Sequence, residues 1–349
     1  MPGLRLKPLS RQVIVITGAT SGVGLSTARA AASRGASLVL AARNEEALKA
    51  VCQDLSAKGA EVAYVAADVG READVRAIAA VALGRFGGFD TWINNAGVDL
   101  VASLAETRLE DHQRLFETNY WGVVHGSQAA VEQFRSQEGG GVLINVGAAA
   151  AGDVGLPLRA AYSASKHAVK GLTNALRSEL IAQGAPVSVT LVKLSALDSP
   201  THDHARNPAG LRPLAPTGTY ATPLAAQAIL YAAERRVREL TVGGGGSLLS
   251  LAALAAPALT EPFLALGARW AAKSARGPDT ARLDNLHHAG HDLRERAFQP
   301  GVRESSLFMS AQMRPKTSLA LGLLTALGVG AAFCLGVRKG DGASGDGEA

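Results

Sequence analysis

From Gln12 to about Val242, short runs of Val, Ile and Leu alternate with longer, Ala-rich amphipathic stretches. The alternation predicts an α/β domain whose parallel sheet is covered by helices on both faces. Candidate strands are Val13–Thr17, Ser37–Ala41, Glu61–Ala66, Thr91–Ile93, Val142–Val146, Val187–Val192 and Glu239–Val242. Strands of that number make an open, doubly wound sheet. The stretch Ser195–Pro223, with prolines at 200, 208, 213, 216 and 223, is too long for a simple connection and predicts a binding lid or a surface excursion.

Beyond Gly243–Gly246 the sheet pattern stops. An Ala/Leu-rich stretch runs to Trp270, broken by Pro257 and Pro262, and a polar, Arg-rich segment continues to Lys316. The run Leu319–Val337 carries no charge and, as a helix, is about 28 Å long, enough to cross a bilayer. Arg314, Lys316, Arg338 and Lys339 bracket it like interfacial anchors; the alternative is a buried terminal helix. Gly322, Ala326 and Gly330, four apart on one face, either seat a second helix or reflect Gly/Ala bias. The expected organisation is an α/β domain at 10–245, a helical and polar extension at 246–316, a transmembrane helix at 317–339 and a disordered tail at 340–349.

Composition supports a folded chain: of 349 residues, 47% are hydrophobic and 19% charged, which excludes general disorder. Aromatics make up only 5%, so Ala, Val and Leu must fill the core. Cys52 and Cys334 lie in dissimilar contexts, and no disulfide is expected between them. The N-terminus leads straight from a short apolar run into a glycine motif without a cleavage site, as a first strand does and a secretion signal does not. Between Arg269 and Lys316 nine Lys/Arg face five Asp/Glu, an excess that suits an anionic membrane surface. No basic stripe interleaves with aromatics, so nucleic acid is not an expected partner.

Thr17-Gly18-Ala19-Thr20-Ser21-Gly22-Val23-Gly24 follows the first strand and opens a helix. Glycines there allow a tight turn and bring backbone N–H groups to a pyrophosphate at the helix N-terminus. At the end of the second strand stands Arg43, where an acidic residue would bind the ribose of NAD and an arginine pairs with the 2′-phosphate of NADP. NADP is the expected cofactor; the alternative is a solvent-facing arginine at a helix start.

With these residues the chain resembles the short-chain dehydrogenase/reductase family, a Rossmann-like fold, over about two thirds of its length. Thr17–Gly24 is similar to its TGxxxGxG motif, Asp68-Val69 to its adenine-contacting Asp, and Asn94-Asn95-Ala96-Gly97 to its NNAG motif. Asn119, Tyr162, Lys166 and Ser199 follow in the family's order. The resemblance implies that Asn95, Ala96 and Gly97 lie beside the cofactor and that Ser199 holds the nicotinamide carboxamide. It further implies that Tyr162 passes a proton to the carbonyl oxygen as hydride reaches carbon, Lys166 also holds the ribose, and Asn119 orders a water relay. Tyr162 and Lys166 share one helix face, as i and i+4 do. A homodimer is implied as well.

One family residue is missing. About 13 residues before the tyrosine the family has a serine that hydrogen-bonds the substrate oxygen; here that position is Ala149, or Ala148 in a register shifted by one. Losing such a donor costs about 10²- to 10³-fold in rate. Ser195, where the family usually has Pro-Gly and this chain Leu194-Ser195, is a candidate substitute. His287, His288 and His291 lack a clear acidic or thiol partner set, so no metal site is expected; His202-Asp203-His204 is read as solvated or substrate-adjacent.

The leading expectation is a single-pass membrane protein, catalytic domain on the cytoplasmic side, that interconverts a carbonyl and a secondary alcohol with NADP(H). Its substrate would be a small molecule, a lipophilic one if the anchor delivers it at the bilayer. The alternative is a catalytically impaired NADP-binding sensor or scaffold tethered at the membrane.

Overall fold

A computed structural model describes residues 3–208, 210–211, 218–273, 284–290 and 293–314. Its strands are β1 (Val13–Thr17), β2 (Ser37–Ala42), β3 (Val62–Ala66), β4 (Thr91–Asn94), β5 (Gly141–Ala148), β6 (Val187–Leu194) and β7 (Glu239–Val242). They form one parallel sheet in the order β3-β2-β1-β4-β5-β6-β7. The order reverses between β1 and β4, and the carboxyl ends of these two strands open the crevice in which such sheets bind ligands.

The helices are α1 (Gly22–Ala32), α2 (Glu45–Ala57), α3 (Glu72–Phe86), α4 (Leu109–Phe116), α5 (Gly122–Ser136), α6 (Ala150–Asp153), α7 (Ala160–Ala182), α8 (Thr201–His204), α9 (Thr222–Glu234), α10 (Gly244–Ala255), α11 (Pro257–Lys273) and α12 (Leu307–Met313). Local chemistry sets several boundaries. Asn44 caps α2 by accepting from the Ala47 N–H at 3.0 Å, and Glu45 and Glu46 complement the dipole of its first turn. Gly87 ends α3 in the left-handed region, φ +76°.

Alternate residues of the strands feed two cores. Ile14, Ile16, Leu38 and Leu40 pack under α1, α2 and α9, whose alanines 28, 225, 228 and 232 let helices approach closely where aromatics are scarce. Val15, Val39, Trp92 and Leu143 pack on the other face under α3 and α5. The few aromatics gather there: Phe89 lies 5.3 Å from Trp92 and 5.4 Å from Phe134, ring centre to ring centre.

The expectation of a membrane-spanning chain, with lipid as its partner and its catalytic domain on the cytoplasmic side, is corrected. Among the described residues no helix is long and apolar enough to cross a membrane. A span needs about 20 apolar residues; α10 has 12, and α11 has 17 with Pro262 inside it. The run Leu319–Val337, with Gly322, Ala326 and Gly330, lies outside the described residues.

Candidate active site

The turn between β1 and α1 depends on its glycines for two separate reasons. Gly18 and Gly22 have φ of +67° and +53°, where a side chain is strained. Gly24 has an ordinary backbone but no room, since a Cβ there would lie 2.0 Å from the Gly18 carbonyl oxygen. Thr17 and Asn95 brace the turn from below. The Thr17 hydroxyl accepts from the Asn95 and Ala96 N–H groups at 3.0 and 3.1 Å, and the Asn95 amide donates to the Thr17 and Gly18 carbonyls at 2.9 and 3.2 Å.

Gly18, Thr20, Ser21, Gly22 and Val23 line a cleft that extends one way to Arg43, Asp68 and Val69. In the other direction it passes Asn95, Ala96 and Gly97 to Ser199, Tyr162 and Lys166. Thr17, Gly24 and Asn119 do not line it and act from behind its wall. The Asp68 carboxylate accepts from the Gly70 N–H at 3.0 Å and from Arg114, which fixes that end of the cleft.

At the other end, Tyr162 and Lys166 sit in the first turns of α7. Lys166 is buried, with Nζ 5.7 Å from the Tyr162 ring centre and donating to the Val146 carbonyl at 3.2 Å. Burial brings its ammonium down to about 8, and pushes the Tyr162 phenol up to about 12. Asn119 is fully buried in a π-helical turn, Glu117–Trp121, between α4 and α5. Its Oδ1 accepts from the Val98 N–H at 2.8 Å, while its Nδ2 donates to the Val98 carbonyl at 3.0 Å and the Ser165 hydroxyl at 3.2 Å. That grip fixes the chain after the NNAG motif to the helix of Tyr162.

Of the two alanines singled out in the sequence, Ala148 ends β5 and Ala149 is fully buried against the first turn of α10. A Cβ on Gly246 would come within 2.6 Å of the Ala149 Cβ and 2.8 Å of the Ser195 hydroxyl, so Ser195 and Ala149 flank one spot. The Ser195 hydroxyl lines the cleft and donates to the Gly243 carbonyl at 3.0 Å. Ser199 shares a hydrogen bond of 2.9 Å with Thr201.

Sequence reasoning missed two groups. The first is a strap from the C-terminal extension. Arg43 donates to the carbonyls of Asn285 and Leu286, Arg114 also donates to Leu286, Asn44 to Gly290, and the Gly22 N–H to the Arg294 carbonyl at 2.9 Å. Leu286 is fully buried beside Val98, Leu115 and Tyr162. His287 pairs with Asp111 at 2.7 Å. The second is the buried pair Asp99–Arg159 beside Tyr162. Contacts that join residues 242 and 243 apart leave no local pattern, whereas the Arg three positions before the tyrosine was a readable signal.

Residues 12–209 match the profile of the short chain dehydrogenase family. An uncharacterized oxidoreductase of Bacillus subtilis, YxnA, is 40% identical over 325 residues, which cover 91% of this chain and 90% of that protein. The 11-beta-hydroxysteroid dehydrogenase A of Sesamum indicum is 34% identical over 190 residues, 54% of this chain and 53% of that protein. Among solved structures, a short-chain type dehydrogenase/reductase from Mycobacterium marinum superposes with a TM-score of 0.60 at 26% identity, covering 69% of this chain and 97% of that one. An alcohol dehydrogenase from Thermococcus sibiricus, complexed with 5-hydroxy-NADP, gives 0.58 at 25% identity, covering 66% of this chain and 95% of that one. With the family's profile matched over more than half its length, and the family's sheet and site motifs in order, the chain belongs to the short-chain dehydrogenase family of oxidoreductases.

Proposed function

We propose that this oxidoreductase interconverts a carbonyl and a secondary alcohol with NADP(H). One observation carries the reading: the glycine turn, Arg43 and the Tyr162–Lys166 pair line the same cleft. The residues fit a dinucleotide. Gly18 and Gly22 turn at positive φ and Gly24 leaves the turn packed without a side chain, so backbone of the turn and the N-terminus of α1 face the cleft, and Arg43 and Asp68 stand at its far end. When bound, the nicotinamide supplies or accepts hydride. The preference for NADP rests on Arg43, whose guanidinium keeps donors beyond those given to the two strap carbonyls. The 5-hydroxy-NADP of the Thermococcus relative agrees with it.

In reduction, the Tyr162 phenol donates its proton to the substrate oxygen, and in oxidation the phenolate takes it back. Lys166 holds the ribose side of the cleft, Ser199 the carboxamide side, and Asn119 fixes the wall between them. The hydroxyl that the family places at 149 is replaced by Ser195, which rotates from the Gly243 carbonyl toward the substrate oxygen. Leu156, Leu158 and Leu264 line the same cleft, which suits a substrate with an apolar body. Residues 10–245 carry this chemistry, and from the extension Gly246, Leu264, Ala271, Asn285 and Gly290 line the same cleft.

The test is NADPH and NADH binding followed by fluorescence, then coenzyme oxidation with a panel of carbonyls. Expected are preferred binding of NADPH, loss of that preference in Arg43→Ala, and loss of turnover with retained binding in Tyr162→Phe. Ser195→Ala should slow turnover about 10²-fold if its hydroxyl meets the oxyanion; unchanged turnover refutes the substitution. A second reading, a coenzyme-binding sensor without useful catalysis, is favoured by the buried Ala149 alone. Tight binding with no turnover until Ala149→Ser or Ala148→Ser is introduced would establish it.

A further inference from the structure

A buried phenol is a poor acid-base group unless positive charge lies close to its anion. Two cations approach the Tyr162 ring. Lys166 is the farther, at 5.7 Å, and its ammonium is directed at the Val146 carbonyl. Arg159 is the nearer, its Cζ 4.5 Å from the ring centre, one residue before α7 begins. Burial pushes the phenol up; the Arg159 charge opposes that more strongly than the Asp99 carboxylate adds to it.

The guanidinium is held in place. Its Nε donates to the Asp99 Oδ1 at 3.2 Å and its Nη2 to Oδ2, a two-point fork that fixes the plane of the group. Asp99 is fully buried, and its Oδ1 also accepts from the Leu100 N–H at 2.9 Å. The preceding residue, Leu158, has a φ of +64°, which a leucine rarely adopts, and its carbonyl accepts from the Ala102 N–H at 2.9 Å. Strained backbone pinned on a neighbouring loop therefore delivers Arg159 to the ring, and such strain gathers at functional sites.

We propose that Arg159, clamped by Asp99, is a positioning residue for proton transfer at Tyr162: its fixed cation stabilises the phenolate that remains when the proton has left. The inference rests on Tyr162 being the proton donor. In the reducing direction the Tyr162 O–H bond breaks and the proton joins the substrate oxygen. That oxygen holds the electron pair released from the carbonyl as hydride from the reduced nicotinamide coenzyme reaches its carbon. The phenolate then regains a proton from water. Near the phenol stand Arg159 just before α7, Lys166 within it and Asp99 from the loop after β4; His202 and His204 of α8 line the same cleft, with His202 Nδ1 3.7 Å from Asp99. On the neighbouring α4 and strap, Asp111 and Asp284 are paired with Arg206.

The test uses the full chain loaded with oxidised coenzyme. Tyrosine labelled with ¹³C at Cζ reports each phenol by NMR, and Tyr162→Phe identifies the Tyr162 signal. In Arg159→Gln the Tyr162 midpoint should rise by about one pH unit relative to the parent, and alcohol oxidation on the acid side of its profile should fall about tenfold. Arg159→Lys should recover most of both, with coenzyme affinity unchanged throughout. Should the single variant fail to fold around an unpaired Asp99, Asp99→Asn with Arg159→Gln keeps hydrogen-bonding groups on both sides and should move the midpoint the same way by less. An unmoved midpoint in the folded variant overturns the proposal, as does loss of coenzyme binding together with turnover. Absence of turnover in every form, with the midpoint still moved, would instead refute Tyr162 as the donor.

Discussion

Glycines that look alike in the sequence differ in what replacing them would do. At Gly24 an added methyl meets the Gly18 carbonyl at 2.0 Å, backbone against backbone, and the turn has nowhere to go because Asn95 holds it. Gly24→Ala should cost about 1–3 kcal/mol in urea unfolding and abolish coenzyme binding. Gly84 lies inside α3 with nothing within 4 Å of its Cβ position, so Gly84→Ala should add about 0.5–1 kcal/mol by helix propensity without touching binding. The motif was legible because tight turns constrain residue type locally. What sequence could not tell is that Gly246 lies against both Ala149 and the Ser195 hydroxyl, because the glycine comes from α10, about a hundred residues beyond Ala149.

Strands that are buried on both faces announce themselves by unbroken Val/Ile/Leu runs, and the seven expected strands are those of the sheet. Two strands run two residues past their expected ends, β6 to Leu194 rather than Val192 and β5 to Ala148 rather than Val146; there Gly147 and Ala148 pair with Lys193 and Leu194 although neither glycine nor alanine favours strands. The strap had no periodicity to read, since backbone carbonyls rather than side chains make its contacts with Arg43 and Arg114. Its apolar anchor is Leu286, fully buried. Leu286→Ala removes about 2–5 kcal/mol of burial from a segment with little other apolar contact. Hydrogen exchange followed by mass spectrometry should therefore quicken at 284–290 and leave the amides of β1 and β4 unchanged. Equal protection in parent and variant would mean that the polar contacts alone hold the strap.

At the scale of the molecule, carboxylates tie the extension to the sheet domain. Burial pushes the Asp111 carboxyl up, yet hydrogen bonds from Arg108, His287 and Arg206 outweigh it and hold the group at about 2. These partners join α4 to the lid segment and the strap, and Arg206 passes the link on to Asp284. Burial also opposes ionisation of Asp99, but Arg159 and His202 hold it well below the usual carboxylate range. Both groups therefore titrate lower in the folded chain than in the unfolded one, where an Asp has its ordinary value of about 3.9. Through that window the unfolded chain binds more protons, so stability rises with pH. The contribution is complete above about pH 5 and is lost as acid approaches pH 2. Unfolding free energy measured between pH 5 and 3 should fall steeply in the parent. Asp111→Asn should be less stable near neutrality and should lose up to one proton's share of the slope, about 1.4 kcal/mol per pH unit. If the slope were the same in both proteins, the linkage would have to run through other carboxylates, and Asp111 would not couple the strap to the sheet in acid.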